Sequence, residues 1–278
     1  MKERKISKIT EGIETSDGAG VRLNRIISQN LMKETDPFLM LDFFGSNDPD
    51  EYIAGFPWHP HRGIETVTYM LNGEVQHEDS MGNKGVIKGG DIQWMTAGSG
   101  IVHQEMPKVT DGLMKGFQLW VNLPAEYKMS KPEYQDYSAD KIPFIENEGA
   151  KVKIIAGEFS GIKGPVKGNF IQPLYLDIEL DINSKLLIPL KNEYNAFAYI
   201  FKGNGYFSEN KIVSEGKLII FSKGDSINIQ TKDENIRLIL VAGKPINEPI
   251  AWQGPIVMNT QEELITAYKE LREDKFIK

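Results

Sequence analysis

Short runs of β-branched and aromatic residues recur along most of this chain, and each run is bounded by Gly, Asn, Asp or Pro. The runs are VTYMLNG, GVIKGGDIQWMTAG, KGFQLWVNLP, KVKIIAGEF, PLYLDIELDI, KLLIPL, AFAYIFKGNGYF, GKLIIFSKGDSINIQ and IRLILVAGKP. Runs of this length and composition are typical of β-strands. Their close spacing predicts an all-β sandwich or barrel and disfavours alternating βαβ units.

The two halves of the chain contain a similar pattern of strands and turns. TYMLNGEV followed by VIKGGDIQWMTA in the first half resembles AYIFKGNGYF followed by IIFSKGDSINIQ in the second. Tyr69 then aligns with Tyr199, and the Gly90–Asp91 turn aligns with Gly224–Asp225. A repeat of this kind predicts two similar β-domains.

The polar, proline-containing stretch AEYKMSKPEYQDYSADKIP lies between the two copies. It predicts a boundary, with a first domain at residues 1–134 and a second at 135–278. The second domain ends in the one segment that predicts a helix, TQEELITAYKELRED, where Thr260 and Glu263 have the spacing of a capping box. The predicted apolar stripe of this helix consists of Leu264, Ile265, Tyr268 and Leu271.

Composition limits the classes of partner and of metal site. The formal net charge of −7 disfavours a surface that follows nucleic-acid phosphates, so no direct nucleic-acid binding is expected. No apolar run approaches the roughly 20 residues of a membrane helix, and we expect no secretory signal and no membrane partner. The chain contains no cysteine, so nitrogen and oxygen atoms must hold any metal ion. A cytoplasmic location is the prediction.

Three of the four histidines occur in two short motifs that share one spacing. His59 and His61 in PWHPHRG are two residues apart, and so are His103 and Glu105 in GIVHQEMP. Residues i and i+2 of a strand point to the same face, so three imidazoles and one carboxylate would meet if the two strands are neighbours. Such donors suit Fe, Mn, Co, Ni or Zn. Solvated imidazoles in a surface loop are the alternative.

The segment HPHRGIETVTYMLNGEVQHEDSMGNKGVIKGGDIQWMTAGSGIVHQEMP resembles the metal-binding cupin domain of the pirin family. DPFLMLDFFG, YKMSKPEYQD and GPIVMNTQEEL extend the resemblance over nearly the whole chain. The resemblance implies a bicupin, with two antiparallel cupin β-barrels and a short C-terminal helix. It places the metal ligands of the first barrel at His59, His61, His103 and Glu105, and it implies a second barrel without metal. The repeat places the counterparts of these ligands near Pro189–Lys191 and Arg237–Ile239, where no histidine occurs.

The resemblance also implies an activity of the quercetin 2,3-dioxygenase type. In that reaction O2 is inserted into the central ring of a flavonol such as quercetin, and carbon monoxide is released. The expected cofactor is one divalent metal ion, Fe(II), with Mn, Ni, Co and Zn as alternatives. Glu105 would act as the catalytic general base or would remain a permanent ligand. The expected form is a monomer, and the sequence does not name the substrate-binding residues.

Two other functions stay open at this level. Eukaryotic pirins are associated with transcription cofactor roles, so the chain would alternatively be a non-catalytic, iron-binding redox sensor. Such a regulatory adaptor would act through a protein partner. A cupin isomerase or epimerase acting on sugars is a third candidate.

Five residues near the motifs each have two interpretations. His77 is expected to be a hydrogen-bonding strand residue rather than a fifth ligand. Trp58 and Trp94 either line the cavity or belong to the core. Arg62 and Glu65 either orient the metal ligands or form a solvated salt bridge.

Overall fold

Strands form most of the chain in the computed structural model, which describes residues 1–109, 112–167 and 170–278. Up to residue 122 the elements are β1 (Ile6–Glu11), β2 (Ile13–Asp17), β3 (Val21–Ile27), α1 (Met32–Thr35), β4 (Phe38–Ser46), β5 (Phe56–His61), β6 (Ile64–Asn72), β7 (Glu74–Asp79), β8 (Lys84–Lys88), β9 (Ile92–Thr96), β10 (Ile101–Lys108) and β11 (Met114–Asn122). The elements that follow are β12 (Glu133–Tyr137), β13 (Phe144–Asn147), β14 (Ala150–Ala156), β15 (Glu158–Phe159), β16 (Ile162–Lys163), β17 (Leu174–Leu180), β18 (Lys185–Pro189), β19 (Asn195–Phe207), β20 (Lys211–Ser214), β21 (Lys217–Phe221), β22 (Ser226–Gln230), β23 (Ile236–Gly243), β24 (Ala251–Gln253), β25 (Ile256–Met258) and α2 (Gln261–Arg272). The predicted all-β class, with a helix near the C-terminus, is confirmed.

The chain forms two compact units that alternate along the sequence. The histidine unit, which contains all four histidines, consists of Ile13–Asn30, Pro37–Ala139 and Ile246–Lys278. The histidine-free unit consists of Met1–Gly12, Leu31–Asp36 and Asp140–Pro245.

These units differ from the predicted domains 1–134 and 135–278 at both ends of the chain. β1 pairs antiparallel with β21, which makes it part of the histidine-free unit. α2 packs with β24 and β25, which makes it part of the histidine unit. Both associations join segments that are distant in sequence, so no local pattern indicates them. The transition from Ala139 to Asp140 lies inside the predicted boundary stretch.

Two antiparallel sheets build the histidine unit. The larger sheet has the strand order β12-β9-β6-β11-β4-β3-β2, and the smaller has β5-β10-β7-β8. In β10 buried and half-buried residues alternate strictly, as the two-residue period of a strand requires. His103 and Glu105 are on the buried side of this alternation.

The histidine-free unit repeats this arrangement around an apolar core. Its main sheet has the order β1-β21-β19-β23-β17-β14-β13, and β18 pairs with β22 beside it. The side chains of the core are aliphatic or aromatic, and most of them are less than 5% exposed. This unit is therefore filled by its own side chains.

Hydrogen bonds at the turns correct the predicted alignment of the repeat. Gly90 donates its backbone N–H to the Met70 carbonyl in one unit, and Gly216 donates to the Ile200 carbonyl in the other. Gly216 is therefore the counterpart of Gly90, and the predicted match with Gly224 is wrong. Glycine-containing turns precede two successive strands in the second copy, and the local sequence does not distinguish them.

β18 and β22 of the histidine-free unit correspond to β5 and β10, where His59 lies opposite His103. The paired side chains there are aliphatic, with Ile188 opposite Ile227 and Leu186 opposite Ile229, and they offer no metal-binding atom. The predicted stretch Pro189–Lys191 begins at the last residue of β18, whereas Arg237–Ile239 lies in β23 and is wrong as the counterpart of β10.

α2 begins with the predicted capping box. Thr260 Oγ1 accepts a hydrogen bond from the Glu263 N–H, and the Glu263 carboxylate accepts one from the Thr260 N–H. The predicted stripe is wrong at Ile265, whose side chain is 65% exposed. The residues that pack are Leu264, Ala267, Tyr268 and Leu271. None of the helices in the described ranges has the length and apolar character that crossing a lipid bilayer requires.

Candidate metal centre

Neighbouring antiparallel strands bring the two histidine motifs together. β5 pairs with β10, with His59 opposite His103 and His61 opposite Ile101. His61 and His103 are buried, and His59 is half-buried. The alternative of solvated imidazoles in a surface loop is therefore wrong.

The three imidazoles form a close group. Their ring centroids are 4.3 Å apart for His59 and His103, 4.8 Å for His59 and His61, and 5.0 Å for His61 and His103. One ring nitrogen of each histidine lies within 4.8 Å of those of the other two. Nitrogen ligands of one ion lie about 2 Å from it, hence within about 4 Å of one another. The observed group is close to that spacing.

Backbone carbonyl groups fix the tautomers of two of these rings. Nδ1 of His59 lies 2.8 Å from the Pro57 carbonyl oxygen, and Nδ1 of His61 lies 3.2 Å from the Pro255 carbonyl oxygen. Because a carbonyl oxygen can only accept, Nδ1 of each ring carries the proton. The Nε2 lone pairs are left to bind a metal ion.

His103 is fully buried, and neither of its ring nitrogens has a hydrogen-bond partner among the described residues. A buried polar atom without a partner costs about 1–3 kcal/mol. A bound ion or water is one of the explanations for such an atom in a native structure. A divalent ion would bind one lone pair of this ring, and imidazole nitrogen is among the donors that transition metals prefer. The residues present therefore fit a metal ion.

Burial keeps the two inner imidazoles neutral. Desolvation, aided by the neighbouring imidazoles, lowers the pKa of His61 and that of His103 well below the usual range. The neutral ring is the form that binds a metal ion. Both rings are therefore in the binding form at neutral pH.

Glu105 is buried on the wall of the same cavity, two residues beyond His103 in β10. Its Oε1 accepts a hydrogen bond from Thr68 Oγ1 at 2.9 Å, and its Oε2 accepts one from Gln118 Nε2 at 3.4 Å. Burial raises the pKa of Glu105, opposed by the electrostatic interaction with His59 and by the Thr68 hydrogen bond. This carboxyl group can therefore take up a proton more readily than an exposed one.

His59, His61 and Glu105 border a cavity of about 780 Å³ with largely apolar walls. Trp120 lies edge-on to His61, with ring centroids 5.1 Å apart, and Trp252 lies 5.8 Å from Trp120. Trp58 also lines the cavity and is half exposed, so of its two interpretations the cavity role is confirmed. Trp94 is fully buried and does not line the cavity, so it belongs to the core.

Trp120, Trp252 and Pro255 are site residues that the sequence did not single out. Trp120 follows Gln118 by two residues in β11, so the strand period alone would have placed the two side chains on one face. Trp252 and Pro255 come from the β24–β25 hairpin, far from the histidine motifs in sequence. No local signal connects that hairpin with the cavity.

His77 lies in β7, where its Nε2 is 3.2 Å from Asp79 Oδ2. Its ring centroid is 5.3 Å from that of His103, and it is not a member of the close group. His77 is thus a hydrogen-bonding strand residue, as predicted.

Arg62 and Glu65 do not form a solvated salt bridge. Both side chains are buried, and Arg62 pairs with Glu270 in α2 at 2.7 Å. Glu65 accepts a hydrogen bond from Thr96 Oγ1 at 2.8 Å. Because Arg62 directly follows His61 in sequence, its contacts fix the backbone beside that ring.

Two antiparallel cupin units, one of which has a histidine cluster on the wall of an aromatic cavity, define the class of this protein as a bicupin with a candidate metal centre. The chain belongs to the pirin family. Residues 20–121 match the family described as Pirin, and residues 175–277 match the Pirin C-terminal cupin domain. The predicted resemblance is confirmed.

Relatives cover the chain nearly from end to end. A pirin-like protein of Caulobacter vibrioides is 42% identical over 278 residues, which span 99% of this chain and 100% of that protein. Pirin of Homo sapiens is 39% identical over 267 residues, which span 94% of this chain and 90% of that protein.

Solved structures agree with the fold. Quercetin 2,3-dioxygenase from Acinetobacter baumannii superposes with a TM-score of 0.91 at 32% identity, covering 99% of this chain and 98% of that one. Bacterial pirin YhhW from Escherichia coli, solved in complex with nickel(II), gives a TM-score of 0.69 at 20% identity, covering 86% and 99% of the two chains. The second similarity bears on the fold alone.

Proposed function

We propose that this protein is a metal-dependent dioxygenase that uses O2 to cleave a flavonol such as quercetin. The observation that carries the proposal is the three-histidine cluster with unpaired ring nitrogens on the wall of an aromatic cavity. The 32% identity to the quercetin 2,3-dioxygenase of Acinetobacter baumannii supports the substrate class.

His59, His61, His103 and Glu105 would hold one divalent ion in this proposal. Nitrogen and oxygen donors accept several metals, and we propose Fe(II), with Mn, Ni, Co and Zn as alternatives. When bound, the ion supplies Lewis acidity and, as iron, the ability to exchange electrons with O2. The His59 and His61 tautomers already leave Nε2 available for it.

The residues of the cavity would bind and orient the flavonol. Trp58, Trp120 and Trp252 offer aromatic surface to planar rings and exclude water from their faces. If one of its oxygens does not hold the ion, Glu105 would accept the proton of the flavonol hydroxyl as a general base, since it lines the cavity. Thr68 and Gln118 would hold that carboxylate in place through their hydrogen bonds.

The test is O2 uptake and quercetin consumption by protein reconstituted with Fe(II), compared with a His61→Ala variant. We expect the variant to lose at least about 100-fold in turnover, a typical cost of losing catalytic electrostatic stabilisation. Gln104→Ala is the matched control, because Gln104 lies between His103 and Glu105 in β10 and does not line the cavity. Equal rates in His61→Ala and the unchanged protein would refute the proposal. Metal binding without O2 uptake would favour the regulatory alternative.

A further inference from the structure

A row of polar side chains crosses the larger sheet of the histidine unit at one level. Thr68 in β6 lies opposite Gln118 in β11, Gln118 lies opposite Asp42 in β4, and Asp42 lies opposite Arg25 in β3. All four residues line the cavity. Neighbouring strands are about 4.8 Å apart, so the row extends about 14 Å from Thr68 to Arg25.

The inner end of this row is hydrogen-bonded to the candidate metal centre. Thr68 and Gln118 both donate to the Glu105 carboxylate. A flat ligand whose reacting end lies at Glu105 would therefore extend its other end along the row toward Asp42 and Arg25.

The outer end is an ion-pair cluster. Arg25 donates from Nε and Nη2 to the two carboxylate oxygens of Asp42 at 2.9 and 2.7 Å, and from Nη2 to Asp17 at 2.6 Å. Nη1 of Arg25 makes no hydrogen bond to the described residues. Asp42 is only 3% exposed. Because Arg25 and Asp42 both line the cavity, the unused donor of Arg25 and the carboxylate oxygens of Asp42 are within reach of a ligand there.

Apolar side chains flank the polar row on both sides. On one side of the row Trp120 lies opposite Met40, two residues from Gln118 in β11 and from Asp42 in β4. On the other side Leu23 lies opposite Phe44, two residues from Arg25 in β3 and from Asp42 in β4. These four side chains line the cavity as well. The wall thus has a polar strip between two apolar strips, which complements an aromatic ligand with polar groups along its length.

From this arrangement we infer that Asp17, Arg25 and Asp42 form a second subsite, which binds the hydroxyl groups on the distal ring of a polyhydroxylated aromatic substrate. The inference rests on the proposed function for the orientation of the ligand. Carboxylate oxygens accept hydrogen bonds from phenolic hydroxyls, and Nη1 of Arg25 donates to a hydroxyl oxygen. The net charge of the three groups is −1, so the subsite rejects a ligand that carries a carboxylate at this end.

The test compares two flavonols that share the hydroxy-ketone edge, quercetin and 3-hydroxyflavone, which lacks the distal hydroxyls. Their dissociation constants are measured by quenching of tryptophan fluorescence in the Fe(II)-loaded protein without O2, so binding is read independently of turnover. The variant is the double substitution Arg25→Gln with Asp42→Asn, which leaves no single buried charge behind. Asp17→Asn, at an exposed position, is a second variant that keeps the buried pair.

The chain offers a matched control in the histidine-free unit. Arg237 forms the same two-pronged pair with Asp177, at 3.1 and 2.7 Å. The arginine side chain is 28% exposed in both pairs, and the aspartates are 4% and 2% exposed. Arg237→Gln with Asp177→Asn therefore removes an equivalent ion pair away from the cavity.

We expect the unchanged protein and the control to prefer quercetin by about tenfold, which corresponds to about one hydrogen bond to a charged group. The Arg25/Asp42 variant should lose most of that preference, and Asp17→Asn should lose part of it. An unchanged preference in both variants, or no binding of either flavonol, would overturn the inference. If binding favours quercetin through Arg25 and Asp42 but the Fe(II)-loaded protein takes up no O2, the subsite stands. The proposed dioxygenase activity is then refuted.

Discussion

At the scale of single residues, Glu65 is a buried carboxyl group close in sequence to the histidine motif, and its burial changes its protonation. The carboxyl group is fully buried at the second position of β6, where Thr96 Oγ1 donates to it at 2.8 Å. Burial raises the pKa of Glu65 to about 7. The folded protein therefore holds a proton there between about pH 4.5 and 7, where the unfolded chain does not.

A Glu65→Gln variant should remove a pH dependence of stability. In this window the native state binds more protons than the unfolded state. The stabilisation that comes from the protonated Glu65 is therefore fully present below its unfolded pKa, and it is lost as the pH rises through about 7. At pH 8 the variant should be more stable than the unchanged protein by about 3 kcal/mol, and near pH 4.5 the difference should vanish. Urea unfolding at several pH values measures this, with Glu262→Gln at an exposed position as control. A constant difference across pH would contradict the prediction.

Sequence spacing could predict the histidine cluster because one strand period places i and i+2 on the same face. It could not choose between the interpretations of Arg62, since its partner Glu270 is 208 residues away. The pairing of Arg25 with Asp42 was missed for a related reason. The two residues lie in different strands, and the sequence of neither strand indicates how the two are aligned.

At the scale of elements, the segment from β24 to α2 completes the wall of the histidine unit. The Pro255 carbonyl meets His61, and the Val257 carbonyl accepts a hydrogen bond from Lys128 Nζ at 3.2 Å. Gly63 has φ +78°, and a Cβ there would lie 1.9 Å from the Val257 oxygen, so only glycine permits this approach. The segment from β24 to α2 therefore helps to orient His61, one of the candidate metal ligands.

Arg62 is the main polar link between α2 and the histidine motif. It donates to the carbonyl oxygens of Ser99 and Phe276 and to the Glu270 carboxylate, and its guanidinium lies 4.2 Å from the Phe276 ring centroid. Lysine cannot reproduce this fork of donors. We expect Arg62→Lys to lower the free energy of unfolding by about 2 kcal/mol, because the hydrogen bonds to the two carbonyl oxygens are lost.

The same variant should weaken metal binding, because the backbone next to His61 loses its anchor. Urea unfolding and titration with Ni(II) would measure the two effects. Arg272→Lys, at an exposed position in the last turn of α2, is the control and should leave both unchanged. Full stability and full metal affinity in Arg62→Lys would show that the packing of Leu264 and Ala267 is sufficient to hold α2.

At the scale of the whole molecule, the two units use one architecture for different purposes. The paired strands that carry histidines in one unit carry aliphatic pairs in the other, with Ile188 opposite Ile227 and Leu186 opposite Ile229, and Ile188 and Ile229 are completely buried. The repeat in the sequence predicted two similar domains, but not which segments complete each one. The pairing of strands such as β1 and β21 is determined by tertiary packing, so the local sequence of either strand does not indicate it.

Metal binding should therefore occur at one ion per chain. Elemental analysis of protein purified without a histidine tag would measure the ratio, and His103→Ala should lower it toward zero. Because an ion that binds only the folded state stabilises it, a free concentration 100 times the dissociation constant should add about 3 kcal/mol to the free energy of unfolding. A ratio of two ions per chain, or equal stabilisation of His103→Ala, would contradict a single centre in the histidine unit.

The pairing of β1 with β21 also bears on how this protein is made. Glu11 pairs with Lys217, so the first strand leaves the ribosome about 200 residues before its partner exists. At synthesis rates of about 5–20 residues per second, the delay is roughly ten seconds or more. An unpaired strand is a template for wrong associations, and charged side chains oppose them. The lysine and glutamate of ISKITE would keep the nascent strand in solution until its partner emerges.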